Sequence, residues 1–330
     1  MGRGGRTMKQ SRLFPELVLL LAGMIAVVFF MMARESGSTD TPGQIHVIID
    51  DSSDNRWVQF IAGMQQAAED EGVKVTVIPT GRLTGISEEQ ALIERAVANG
   101  ADGVIVQPMT DKDAAGILEN LNERISIELV DESTYEIMSN VVGIVSPEHE
   151  KIGKELAKEA ARFSEKPLSQ CTIGVVRSSE ILSSAQKKLD GLAEGLREYG
   201  AKAAWVQERP DDTSSFKEEL ALRETPDILI AMDNTALEAA GEYAAASGED
   251  LLVIGTGTSM KALYYLDSGT VSSIVVPEDY MMGYQSVADL SEFIHRSRFL
   301  PQRRTISHRV VHRDTLFSED NQEILFPIQR

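Results

Sequence analysis

From Ile45 onward the chain repeats one alternation: a short apolar run rich in β-branched residues, then a stretch with apolar positions every three or four residues. The runs IHVII (Ile45 to Ile49), KVTVI, GVIVQ from Gly103 and SIELV ending before Asp131 read as strands, separated by helical periods over 57–71, 88–98 and 113–122. In the first helix Phe60, Ile61, Met64, Ala67 and Ala68 share a face, and Gly72 stops it. After strand VVGIV (Val141 to Val145) and a helix over 149–163 the alternation starts again. Strands TIGVV from Thr172, AAWV, DILIA, LLVIG and VSSIVV are interleaved with helices over 185–199, 216–223, 235–247, 259–268 and one starting near Asp279. Apolar strands alternating with helices are the pattern of a parallel sheet covered on both faces. Two successive sets predict two doubly wound α/β lobes, because one open sheet of so many strands is unusual.

The N-terminus has a different pattern. Residues 13–33 (LFPELVLLLAGMIAVVFFMMA) are almost wholly apolar, and about 20 such residues cross a bilayer as a helix. Arg3, Arg6, Lys9 and Arg12 precede it, so residues 1–12 are expected in the cytoplasm and the body of the chain outside. The segment reads as an uncleaved single-pass anchor: it ends Phe-Phe-Met-Met-Ala-Arg, whereas a signal peptide has a shorter apolar region and small residues at the cut. Residues 34–43 are polar and turn-rich, a tether.

Charge excludes a class of partner. The formal net charge is −19, and with 27 basic and 50 acidic residues beyond Arg34 the body carries −23, which repels nucleic-acid phosphates. Cys171 stands alone at the start of an apolar run and reads as a buried structural thiol. The five histidines have no metal-ligand spacing, and no nucleophile elbow or phosphate-binding loop occurs. No catalytic activity, metal or cofactor is expected. A basic stretch from His295 to Arg313 stands out against the acidic body as a surface for a partner or an anionic layer.

In doubly wound sheets a ligand lies beyond the C-terminal ends of the strands. That rule nominates residues 50–57, 107–110, 131–133, 177–186, 233–235 and 255–259. Several of these residues also suit local duties, since Asp favours turns and helix N-caps and Trp57 suits packing at a helix start.

The run IIDDSSDNRWVQFIAGMQQAAEDEGVKVTVI, then ALIERAVANGADGVIVQP and IELVDES, resembles the periplasmic sugar-binding proteins of the ribose-binding protein and lac repressor type. The likeness continues through KKLDGLAEGL, ILIAMDNTALEAAGEYAAASG, LLVIGTG and VVPEDYMMGYQSV. The resemblance implies a type I binding-protein fold, with two lobes joined by three crossovers. Residues 44–145 and about 277–300 would form the first lobe, and 146–276 with about 301–330 the second. It implies ligand contacts from Asp50, Asp51, Asp54, Trp57, Asp131 and Glu132 in the first lobe and from Gln186, Asp233, Asn234 and Gly257 in the second. The ligand would be a sugar, an amino sugar or another polyol-like solute, and the partner an ABC permease or a sensor kinase. Where such proteins carry Arg, this chain has Glu132 and Gln186, and Thr256-Gly257 replaces an Asp. Those changes predict a strongly acidic pocket that either admits a cationic or amino-substituted ligand or has lost the ancestral one.

Overall fold

The computed structural model describes residues 42–109, 114–132, 143–178, 183–209, 223, 225–248, 250–296 and 302–326. The apolar segment at 13–33 and most of the helix expected over 216–223 lie outside the described residues. Among the described residues no helix is long and apolar enough to cross a membrane.

Two six-stranded sheets carry the chain from Gly43 onward. The first contains β1 (Gln44–Ile48), β2 (Lys74–Val77), β3 (Gly103–Val106), β4 (Ser126–Val130), β5 (Gly143–Pro147) and β11 (Gln302–Ile306), in the order β11-β5-β4-β3-β1-β2, all parallel. The second contains β6 (Ile173–Ser178), β7 (Trp205–Arg209), β8 (Ile228–Ala231), β9 (Leu252–Gly255), β10 (Ser273–Pro277) and β12 (His308–Val311), in the order β12-β10-β9-β8-β6-β7. Only β12 runs antiparallel to its neighbour, β10. The central strands are buried on both faces, which is why their sequences are continuous apolar runs rather than alternations.

Helices cover both sheets. α1 (Val58–Glu71), α2 (Ile86–Ala98), α3 (Ala114–Asn122) and α8 (Asp279–Arg296) pack on the first. α4 (His149–Phe163), α5 (Ser183–Glu198), α6 (Asn234–Ser247) and α7 (Met260–Ser268) pack on the second. In each lobe one helix pair meets through facing glycines. A Cβ on Gly63 of α1 would stand 1.9 Å from the Tyr280 carbonyl oxygen of α8, and one on Gly283 would stand 2.0 Å from that of Phe60. Gly153 of α4 and Gly191 of α5 repeat the arrangement, each 2.0 Å from a partner carbonyl. These close approaches bring α8 against α1 and the middle of α5 against α4, backbone to backbone.

The chain crosses between lobes three times: at Glu148 between β5 and α4, at Glu278 between β10 and α8, and at Ser307 between β11 and β12. The last two crossings are tied together. The Glu278 amide donates to the Ser307 carbonyl at 3.0 Å, its Oε2 accepts from Ser307 Oγ at 2.6 Å, and its Oε1 pairs with Arg309 Nε at 2.7 Å. Burial opposes its ionisation, but Ser307 and Arg309 outweigh it and hold the carboxyl below its ordinary range.

Two expectations are corrected here. The strand at 302–306 belongs to the first sheet rather than the second lobe, because β11 pairs with β5 from Gln302↔Gly143 to Ile306↔Pro147. Cys171 is half-buried at the edge of the second core rather than enclosed by it. In the basic stretch Arg304 pairs with Asp289 and Arg309 with Glu278.

The chain ends with α9 (Glu319–Leu325), whose Leu325 is buried in the second lobe's core with Leu316. Its carbonyl accepts from Nε2 of Gln59 in α1 at 3.1 Å, a buried bond that links the two lobes.

Candidate functional site

The C-terminal ends of both sheets face a cleft enclosing about 990 Å³ of empty space, open solvent at its mouth included. Six of its residues come from the first lobe's strand ends and helix starts: Asp54, Arg56, Trp57, Asp131, Asp279 and Met282. The second lobe answers with Arg177, Ser184, Lys188, Asp233, Asn234 and the 256–258 loop, while His149 enters from the first crossing.

The floor is built by local rules. Asp54 caps a 3-10 turn over Asn55–Trp57, accepting from the Arg56 amide at 2.9 Å, and lines the cleft. Trp57 is buried, anchored by its Nε1 to the Asp50 carbonyl at 2.9 Å and packed on Phe60, with the Arg56 guanidinium 4.6 Å above its ring. Asp131 closes β4 with a left-handed φ of 54°, a conformation Asp tolerates better than most residues. Its carboxylate is clasped by His149 Nε2 on Oδ1 at 2.9 Å, and by Gln107 Nε2 at 2.9 Å and Ser184 Oγ at 3.4 Å on Oδ2. Burial raises the cost of that charge, but His149 outweighs it and holds Asp131 below the usual carboxylate range.

On the opposite wall Asp233 caps α6 through the Ala236 amide at 2.8 Å. Asn234 Oδ1 accepts from the amides of Thr258 at 2.6 Å and Ser259 at 3.0 Å, folding the 256–258 loop over it. Gly257 is required there, since a Cβ would stand 2.4 Å from Asn234 Oδ1. Lys188, two turns into α5, donates to the Met232 carbonyl at 3.0 Å.

Of the residues nominated from sequence, Asp54, Trp57, Asp131, Asp233, Asn234 and Gly257 line the cleft. Four do not. Asp50 turns inward, its Oδ1 accepting from the Leu83 amide at 2.6 Å. Asp51, at φ 41°, accepts from Ser53 within its own loop. Glu132 is buried and accepts from Ser183 Oγ at 2.7 Å, joining the lobes behind the cleft. Gln186 is exposed and bonded to Asp190 along the outer face of α5.

Three cations share the lining with Asp54, Asp131, Asp233 and Asp279: Lys188, Arg177, which pairs with Glu208, and Arg56, which lies 3.7 Å from Asp50. Burial and then the charge of Asp131 push the Asp279 carboxyl up to about 8 against the pull of Lys188 and Arg56. Arg56 and Arg177 lie within nominated loops, and the strand-end rule applied to β5 and β10 also reaches His149 and Asp279. Lys188 had no such signal, because helix packing brings it to the cleft. The walls thus offer donors and acceptors around the apolar faces of Trp57, Ile152, Met232 and Met282, a lining that suits a small polyhydroxylated molecule.

The family described as periplasmic binding protein domain matches residues 45–294. No curated protein matches the sequence. Among solved structures, a carbohydrate transporter solute-binding protein from Agrobacterium radiobacter in complex with D-arabinose is 15% identical, with a TM-score of 0.77 over 87% of this chain and 100% of its own. The Caulobacter myo-inositol binding protein bound to myo-inositol is 20% identical, with a TM-score of 0.73 over 85% and 97%. A chain of a XylFII–LytSN complex is 15% identical, with a TM-score of 0.72 over 83% and 99%. Two parallel α/β lobes, three crossings, a polar cleft between them and a family match over most of their length lead to one conclusion: this chain belongs to the periplasmic binding protein domain family.

Proposed function

We propose that the protein is an extracytoplasmic solute-binding protein whose lobes close on a small polyol, a sugar or sugar-like molecule. The observation that carries this reading is the convergence of polar groups from both lobes on one cleft. A ligand touching both walls favours the closed state by its differential affinity. D-arabinose and myo-inositol, bound by two structural relatives, indicate the class of solute. The cleft binds without transforming what it holds, and residues 13–33 anchor the domain to the outer face of the membrane.

Delivery to an ABC permease is the first role. A second role is sensing, in which the occupied domain reports to a membrane partner such as a sensor kinase. A fixed anchor suits it, and a relative of the same fold occurs in the XylFII–LytSN complex. Thermal unfolding of the full chain with sugars, amino sugars and polyols tests the common core of both roles, because a ligand bound only by the native state raises the melting point. A rise with one class is expected; no rise across the panel sinks the proposal.

A further inference from the structure

Two buried bonds join the lobes through protein atoms alone. Asp131 and Glu132 directly follow β4 of the first sheet, and Ser183 and Ser184 open α5 of the second lobe. There the two pairs meet: Ser183 Oγ donates to Glu132 Oε1 at 2.7 Å, and Ser184 Oγ approaches Asp131 Oδ2 at 3.4 Å. The other bond runs from Gln59 Nε2 of α1 to the Leu325 carbonyl of α9 at 3.1 Å.

Burial gives both bonds their weight. Glu132 is 1% exposed, Gln59 4% and Ser183 5%, so little water competes for their atoms, and a hydrogen bond in such surroundings is stronger than one at the surface. A carboxylate acceptor strengthens the first bond further. The bonds rest on different elements, β4 with α5 and α1 with α9. None of the crossing residues Glu148, Glu278 and Ser307 takes part, so the crossings can bend only as far as these bonds allow. An opening that parts β4 from α5 and α1 from α9 must break both.

We infer that Glu132–Ser183 and Gln59–Leu325 form a two-point latch that holds the cleft shut by itself, so that a solute enters by displacing a closure already made rather than by causing one. The inference goes beyond the solute-binding reading and holds for any solute, because each bond is made by the protein on both sides.

Double electron–electron resonance on the full chain in detergent, with no solute added, tests it. Nitroxides are carried by Ser87→Cys in the first turn of α2 and Met260→Cys at the start of α7, both exposed at the cleft-facing ends of their lobes, in a Cys171→Ser background. The labelled parent should give one narrow distance. Ser183→Ala and Gln59→Leu should each raise a longer-distance population about tenfold, the loss of one hydrogen bond. Together they should make it the major one. Circular dichroism checks that each variant is folded, and if the double variant is not, the two single variants carry the test. A parent found mainly at the longer distance overturns the inference, and so do folded variants whose distances match the parent's. Either result leaves the thermal test of solute binding standing, because no solute is present here.

Discussion

In the second lobe the buried carboxylate of Glu159 accepts from Ser273 Oγ at 2.7 Å and His312 Nε2 at 2.5 Å, whereas in the first lobe Glu128 is as deeply buried and neither of its oxygens has a hydrogen-bond partner among the described residues. Burial acts on both groups in the same direction. For Glu159 the bonds from His312 and Ser273 outweigh it and hold the carboxyl below its ordinary range. For Glu128 burial and the nearby charge of Asp289 prevail over Arg304 and push the carboxyl well above. Glu89, also in the first lobe, is pushed up to about 8 by burial and the Glu132 charge, although the Met109 amide bonds its Oε2 at 2.8 Å. The lesson is that partners, more than burial alone, decide which state a buried acid adopts. Glu89 and Glu128 of the first lobe are thus enclosed as neutral acids, and Glu159 of the second as an ionised one.

The largest test of this contrast is pH. Between the ordinary value of 4.5 and about 8, folded Glu89 holds a proton that the unfolded chain has released, so the first lobe loses stability as pH rises through that window and no more above it. At about 1.4 kcal/mol per pH unit the effect is on the order of 5 kcal/mol. Glu159 works in the opposite sense: its stabilisation is present above 4.5 and is lost as pH falls through its lowered folded value. Hydrogen exchange resolved by lobe at pH 4, 6 and 8 should show the first lobe opening more readily at the alkaline end and the second at the acid end. Glu89→Gln should flatten the first lobe's slope, and a slope that survives the substitution would discard Glu89 as its source.

A smaller effect follows from breaking the second lobe's cluster. Glu159→Leu leaves His312 and Ser273 without their acceptor and should cost about 3 kcal/mol in urea unfolding at pH 7. Glu128→Leu is its counterpart and should be neutral or stabilising, by about 1 kcal/mol, because no donor loses a partner. Equal losses from the two substitutions would erase the contrast between the lobes. Smallest of all, Ser183→Ala, which frees Glu132 from its bond to the second lobe, should cost about 1 kcal/mol.

The sequence made the repeating architecture legible because strands buried on both faces must be apolar throughout, as in GVIV of β3 and ILIA of β8. It hid the change of sheet at Ser307. β11 and β12 lie one residue apart in a single polar stretch, and only their partners, β5 and β10, assign them to different lobes. The site divided along the same line. Asp54, Asp131, Asp233 and Gly257 follow strand ends, a position visible in the pattern. Asp50 follows one too, but a contact 33 residues away, to the Leu83 amide, turns it inward. Lys188 reaches the cleft because Gly153 and Gly191 let α4 and α5 touch, which brings backbone to within a bond length or two of where side chains would stand. Such long-range contacts leave no periodic trace.

The bond from Gln59 to Leu325 gives the hinge a mechanical character that three crossing strands alone would lack. Any swing that draws α1 away from Leu325 must first break this bond. Gln59 already has an Oε1 without a partner, and breaking its Nε2 bond before water arrives costs about 1–3 kcal/mol. The cleft therefore turns with a detent: its first degrees of travel are resisted by the last described helix, through a bond that none of the three crossings makes.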